Sequence, residues 1–163
     1  MKILTMQQGS SEWLQARLGV CTASESGKLI TPLGKIRTGA GVTTYVRHKA
    51  TEQWRGTPDE GYLSHAMQNG KTREDAARGW YGLTAGVEIE QVGFITTDDG
   101  RWGCSPDGMF KGRTTGLECK CPELETQVNW MLDGVLPEEH IAQVQMSMLV
   151  TGAPSWTDRK SVV

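Results

Sequence analysis

The stretch GCSPDGMFKGRTTGLECKCP, residues 103–122, carries Asp107, Glu118 and Lys120 at short range. Its last part, Gly116-Leu117-Glu118-Cys119-Lys120-Cys121, alternates as a strand does. Successive strand side chains point to opposite faces, so Leu117, Cys119 and Cys121 share a core face. Glu118 and Lys120 share the other face, about 7 Å apart along the chain. Asp107 lies a hairpin's length upstream. A carboxylate pair converging from neighbouring strands, with a lysine just past the second carboxylate, suits metal-dependent hydrolysis of a phosphodiester. Magnesium takes oxygen ligands and keeps several waters, so Asp107 and Glu118 can hold it while phosphate oxygens and water complete the octahedron. Such a metal lowers the pKa of a bound water and neutralises phosphate charge. Lys120 can orient or deprotonate that water and stabilise the charge that grows in the transition state. Taken alone, an E-x-K pair also suits a solvated strand face, where it contributes under about 1 kcal/mol.

The elements that must position these residues follow from capping, periodicity and turn signals. Ser10 or Ser11 can cap a short helix through Glu12, Trp13, Leu14 and Leu18, which Gly19 ends. Thr22 or Ser24 opens a second helix toward Ile30, and TPLGKIRTGAG reads as a loop. A helix is expected from about Val42 to Trp54, ended by Gly56, Pro58 and Gly61, and another from His65 to Leu83 with Glu74 in its middle. After Gly86 the period becomes two. VEIEQVGFITT begins an antiparallel meander that turns at Asp98-Asp99-Gly100, continues through Arg101–Cys104, Gly108–Phe110 and Gly116–Cys121, and closes at Pro122. Two helices then follow, Leu124–Leu132 and Pro137–Val150.

The 163 residues suffice for one domain with a proper core, and a net charge of −2 names no nucleic-acid partner. No run of eighteen apolar residues and no apolar leader occurs, which predicts a soluble intracellular protein without a membrane partner. The 4 cysteines lack both secreted disulfide spacing and a C-x-x-C pair, so reduced, mostly buried thiols are expected; a zinc or iron-sulfur site at Cys104, Cys119 and Cys121 is the sharper reading. His48, His65 and His140 form no metal-ligand pair and read as surface or satisfied core residues. Trp13 and Trp102 are candidates to wedge a DNA end, although core packing is the more frequent work of tryptophan.

Several separated motifs resemble one family, the YqaJ-type viral recombinases of the PD-(D/E)xK nuclease superfamily, which include the phage lambda exonuclease. WLQARLGVCTASE is similar to the family's W-x-x-x-R-x-G-x-x-T-A-S signature. NGKTREDAA resembles its G-x-x-x-E helix, CSPDGMF and LECKCP its nuclease core, and HIAQVQMSMLVTG its glutamine helix. The resemblance implies Asp107, Glu118 and the Cys119 backbone carbonyl as metal ligands, Lys120 as the catalytic lysine, and Glu74 reaching the site from its helix. On residues alone Glu74 reads as a helix charge paired with Arg78. Gln143 and Gln145 also match. A helical projection places Gln145 among Ile141, Val144, Met148 and Leu149, so either amide is a candidate to bond into the metal site or to be a satisfied core group. Arg17, Ser24 and Ser105 match residues that hold the 5' phosphate in the lambda-exonuclease branch. A guanidinium and two hydroxyls are suitable donors for it, while a helix-end charge and a cap are the plainer roles.

The resemblance implies an α/β fold with a restriction-endonuclease-like core, a mixed central sheet flanked by helices, over residues 1–157. Relatives continue with another strand and a helix. The residues from Asp158 to Val163 match the translation of a sequencing-library adapter, so a non-native tail and loss of the strand starting near Ser155 are expected. The function implied is a phage-encoded exonuclease in the bacterial cytoplasm, using Mg2+ or Mn2+ to resect linear duplex DNA from 5' to 3'. Double-stranded DNA ends, a ring-shaped homotrimer and a single-strand annealing protein are the implied partners. The alternatives are a weakly active or inactive DNA-end-binding subunit and a cysteine-metal regulatory module.

Overall fold

Ser10 begins the first helix as a cap should, with extended backbone and a hydroxyl that accepts the Trp13 N–H at 3.2 Å. The computed structural model describes residues 1–58 and 65–160, with side chains throughout except at 65–72, 159 and 160. Gly61, the His65 side chain and residues 161–163 therefore lie outside the described residues. In chain order the elements are β1 (Lys2–Leu4), α1 (Ser11–Ala16), β2 (Cys21–Thr22), a 3₁₀ helix (Ala23–Lys28), α2 (Ala40–Arg55), α3 (His65–Ala85), β3 (Ile89–Glu90), β4 (Phe94–Thr96), β5 (Trp102–Cys104), β6 (Gly108–Phe110), β7 (Thr115–Lys120), α4 (Leu124–Asp133), α5 (Glu138–Thr151) and β8 (Ser155–Lys160). Among the described residues no helix is long and apolar enough to cross a membrane.

The chain divides into two compact units, each with its own sheet. One comprises Met1–Gly61, Val92–Ser105 and Glu138–Gly152. Its sheet has the order β1-β4-β5-β2, antiparallel except for the parallel β2–β5 pair. The 3₁₀ helix, β4 and β5 pack against α5. The other comprises Tyr62–Gln91, Pro106–Pro137 and Ala153–Val163. Its sheet has the order β3-β6-β7-β8, with β8 parallel to β7 and the other pairs antiparallel, and α3 packs on β7. The fold is thus mixed α/β with mixed sheets.

Two expectations need correction and a third is refined. The segment 87–97 is not one arm of a single meander: β3 pairs with β6, while β4 pairs with β1 and β5 in the other unit. The break includes Gly93, where a side chain would run into the Leu4 and Met6 backbone. Strand alternation continues through such a break because it reports faces and not partners. The expected second helix is present, with Thr22 at its N-cap, and its turns are 3₁₀. Ser26 turns its hydroxyl onto the Ala23 carbonyl at 2.6 Å, the local side-chain competition that disfavours a regular α turn. The strand starting at Ser155 is present, and β8 pairs with β7 from Thr115↔Ser155 to Lys120↔Lys160. A parallel ladder is built from main-chain groups, so polar side chains at 158–160 do not prevent it.

Gly116 faces Trp156 in that ladder, and a β-carbon at 116 would penetrate the indole ring. Gly116→Ala is therefore expected to destabilise the protein by about 1–3 kcal/mol, the usual range for overpacking. Denaturant melts of parent and variant measure it; equal stability would mean that Trp156 does not pack on β7.

Candidate active site and phosphate cluster

The carboxylate site is built on β7, whose two faces do different work. Leu117 and Cys119 are buried against Ala77 of α3, with Tyr81, Ile89, Phe110 and Cys121 packed around them. This is the core face that the alternation predicts. Burial pushes the Cys119 thiol up to about 12, so it packs as a neutral apolar group. All 4 cysteines are free thiols. Glu118 and Lys120 occupy the opposite face, 8% and 26% exposed, and the lysine ammonium donates to Glu118 Oε1 at 2.7 Å. Burial disfavours the charged lysine, but Glu118, then Asp107 and Asp158, outweigh it and raise its pKa. Lys120 is consequently an ammonium at neutral pH.

Asp107 enters from the turn before β6. The pairing Gly108↔Leu117 continues so that Asp107 stands opposite Glu118. Its N–H donates to the Leu117 carbonyl at 3.1 Å, and its Oδ2 accepts the Cys119 N–H at 2.6 Å, so the side chain extends the ladder. Its carbonyl accepts from Arg78 Nη1 at 2.9 Å. The same guanidinium is anchored by Asp75 at 2.6 Å. Arg78 thus ties α3 to the turn, a role that sequence reasoning missed; the helical spacing offers it Glu74 as a partner, and the structure pairs it with Asp75. Burial, then the like charges of Glu118 and Glu74, raise the Asp107 carboxyl to about 8. Glu74 is therefore near enough on α3 to act on Asp107.

Buried carboxylates that repel one another are a ready binding site for a divalent cation, and their hard oxygens fit magnesium. Among the described residues no group of three or more His, Cys, Asp or Glu side chains is placed to hold a metal ion. A cation held by Asp107 and Glu118 would keep water in much of its shell, which suits magnesium.

The other unit brings Arg17 and Ser105 together. Arg17 Nη1 donates to Ser105 Oγ at 3.3 Å, and its guanidinium lies 4.1 Å from the Trp13 ring centroid and 5.6 Å from that of Phe94. Trp13 Nε1 also donates to Ser105 Oγ, at 2.9 Å. Burial lowers the Arg17 pKa against the opposing pull of Glu25 and Glu52. Arg17 borders a cavity of about 220 Å³ together with Glu25, His48, Lys49 and Glu52. Ser24 is exposed on the 3₁₀ helix, its hydroxyl 3.3 Å from Thr22 Oγ1. Beside it, Glu25 accepts from Thr22 and Tyr45 and pairs with Lys49 at 2.8 Å and Lys28 at 2.9 Å. Burial alone would raise this carboxyl, yet the two ammoniums hold it down at about 2.

Gln143 and Gln145 lie on α5, in the unit of Arg17 rather than that of Asp107. Gln145 is exposed and Gln143 half-buried, because α5 buries Ala142, Val144, Met146, Ser147, Val150 and Thr151. This corrects the apolar surroundings expected for Gln145. Leu149, one of those supposed neighbours, is itself 70% exposed.

The sequence model of the YqaJ-like viral recombinase domain matches residues 12–154. Among solved structures, the chain is similar to an alkaline exonuclease, LHK-Exo, from Laribacter hongkongensis, at 29% identity and a TM-score of 0.78, over 93% of this chain and 75% of that one. It is likewise similar to LHK-Exo in complex with dAMP, at 30% identity and a TM-score of 0.77, over 91% of this chain and 73% of that one. No curated protein sequence matches the chain. The domain model and the two structures support a phage-type exonuclease.

Proposed function

Because the chain belongs to the YqaJ-like viral recombinase domain family, we propose that it is a magnesium-dependent exonuclease that resects linear duplex DNA from its 5' ends and leaves 3' overhangs. The observation that carries this reading is the crowding of Asp107 by Glu118 and Glu74, with the Lys120 ammonium held beside them. When bound by Asp107, Glu118 and the Cys119 carbonyl, the cation supplies Lewis acidity to a phosphate oxygen and acidity to a water. Lys120, raised in pKa, stays protonated and acts as a donor to the attacking water and to the charge that develops on phosphorus-bound oxygen. Its partner Glu118 fixes the direction of that ammonium. The structure of a relative with dAMP supports a deoxynucleoside monophosphate as the product released. A ring-shaped homotrimer and an annealing partner belong to the same proposal and rest on the family resemblance.

Arg17 and Ser105, together with Ser24 on the strength of the family resemblance, are proposed to hold the terminal 5' phosphate. A guanidinium contributes charge-assisted donors in a planar fork that suits phosphate. Arg17→Ala is expected to slow digestion of 5'-phosphorylated ends by about tenfold or more, the equivalent of a charge-assisted bond of about 1.5–3 kcal/mol. The preference over 5'-hydroxyl ends should disappear with it. The assay uses end-labelled linear duplex with either end chemistry, in magnesium or in chelator, with closed circular duplex as control. Digestion in chelator, or attack on circular DNA at the rate of linear DNA, would overturn the exonuclease reading.

A further inference from the structure

We infer that Trp13 is a positioning residue for recognition of the terminal phosphate, acting through the Ser105 hydroxyl; the inference rests on the phosphate reading above. A serine hydroxyl has two lone pairs and one proton. Ser105 Oγ receives the Trp13 indole N–H at 2.9 Å and the Arg17 guanidinium N–H at 3.3 Å. With both lone pairs engaged by donors, the hydroxyl proton points away from both. Ser105 is thereby set as a donor, the polarity that a phosphate oxygen requires. A freely rotating hydroxyl would have to be ordered each time an end binds, whereas this one is ordered beforehand.

The same indole acts on the second phosphate donor. Its ring face lies 4.1 Å from the Arg17 guanidinium carbon, within cation–π range. Trp13 therefore fixes Ser105 through its edge and Arg17 through its face. Its own place is set by α1, because the Ser10 cap accepts the Trp13 backbone N–H. An indole committed on both edge and face is a scaffold for phosphate donors, a role different from stacking on a base.

Trp13→Phe separates the two contacts, since a phenyl ring retains the face and removes the N–H. The readout is the ratio of kcat/KM for 5'-phosphorylated over 5'-hydroxyl duplex ends. Losing one neutral hydrogen bond is expected to lower this ratio by about three- to tenfold, mainly through KM for the phosphorylated end. In a Ser105→Ala background the same substitution should lower it no further, because the group that Trp13 orients is gone. A parental ratio in Trp13→Phe, or an equal further fall in the Ser105→Ala background, overturns the inference. If Arg17→Ala and Ser105→Ala both keep the parental ratio, the phosphate pocket itself is refuted, a result distinct from failure of Trp13 alone. If Trp13→Phe does not fold, NMR of the intact chain decides. Ser105→Ala should move one of the 6 tryptophan indole N–H signals, and 5'-phosphorylated duplex added in chelator should move that same signal in the parent. Its failure to move on duplex addition overturns the inference.

Discussion

Lys120→Ala is expected to lower kcat on linear duplex by about a hundredfold to a thousandfold, the cost of removing one preorganised donor to transition-state charge, while KM changes little. The reason is geometric. The ammonium is held at 2.7 Å from Glu118 on the face of β7 away from the core, so truncation removes charge from the proposed reaction site without opening the Leu117 and Cys119 packing. Lys120→Arg keeps the charge but not the point geometry and should recover only part of the rate. Single-turnover digestion and equilibrium binding of labelled duplex separate the two effects. Digestion by Lys120→Ala at the parental rate would remove Lys120 from the mechanism.

Asp107→Asn should abolish digestion and at the same time stabilise the metal-free protein. The Asp107 carboxyl is raised to about 8 by burial and by Glu118 and Glu74, against an ordinary unfolded value of about 3.9. A proton held more tightly by the folded chain stabilises it fully below the unfolded value, and that contribution is lost as pH rises through about 8. In chelator the parent is thus expected to melt at lower temperature at about pH 8 than at about pH 5, with the Asp107 part of that slope missing from Asp107→Asn. The amide oxygen still accepts the Cys119 N–H, so the ladder contact persists while the repulsion goes. Saturating magnesium should reverse the order. A ligand at a hundred times its Kd stabilises the parent by about 2.7 kcal/mol, and on the proposed metal role the variant lacks the charge that would bind it. Calorimetric scans of both proteins, in chelator and in magnesium, measure this directly. A parent whose melting is flat with pH in chelator, or an Asn variant that gains as much from magnesium, contradicts the account.

The division of β7 into a core face and a charged face was legible because period-two alternation in a short strand needs no tertiary knowledge. Asp107 was legible through its turn and its hairpin distance from Glu118. The sheet to which a strand belongs was not: the run from Val87 to Thr97 alternates across a boundary where the chain leaves one sheet for another. Gln145 was misplaced because α5 carries apolar residues around most of its circumference, Leu149 included, so a helical wheel has no single buried side to find. The Trp13–Ser105 bond joins residues 92 apart, and no local pattern reports a contact of that kind. Arg78 illustrates a middle case, in which helical spacing indicates a carboxylate partner but offers Glu74 where the structure has Asp75, and only the folded turn presents the Asp107 carbonyl.

The two clusters also differ in how far the chain must travel to make them. Asp107 meets the Cys119 N–H across a separation of 12 residues, while Trp13 meets Ser105 across 92. Loop-closure entropy grows with the logarithm of length, so the second contact costs about 2 kcal/mol more to close than the first. Local contacts are favoured early in folding and distant ones are made once much of the chain is ordered. On a refolding time course the hairpin with the carboxylates should gain protection before the Trp13 indole does. On the proposed roles, the nascent chain acquires the groundwork for bond cleavage ahead of its means of telling one DNA end from another.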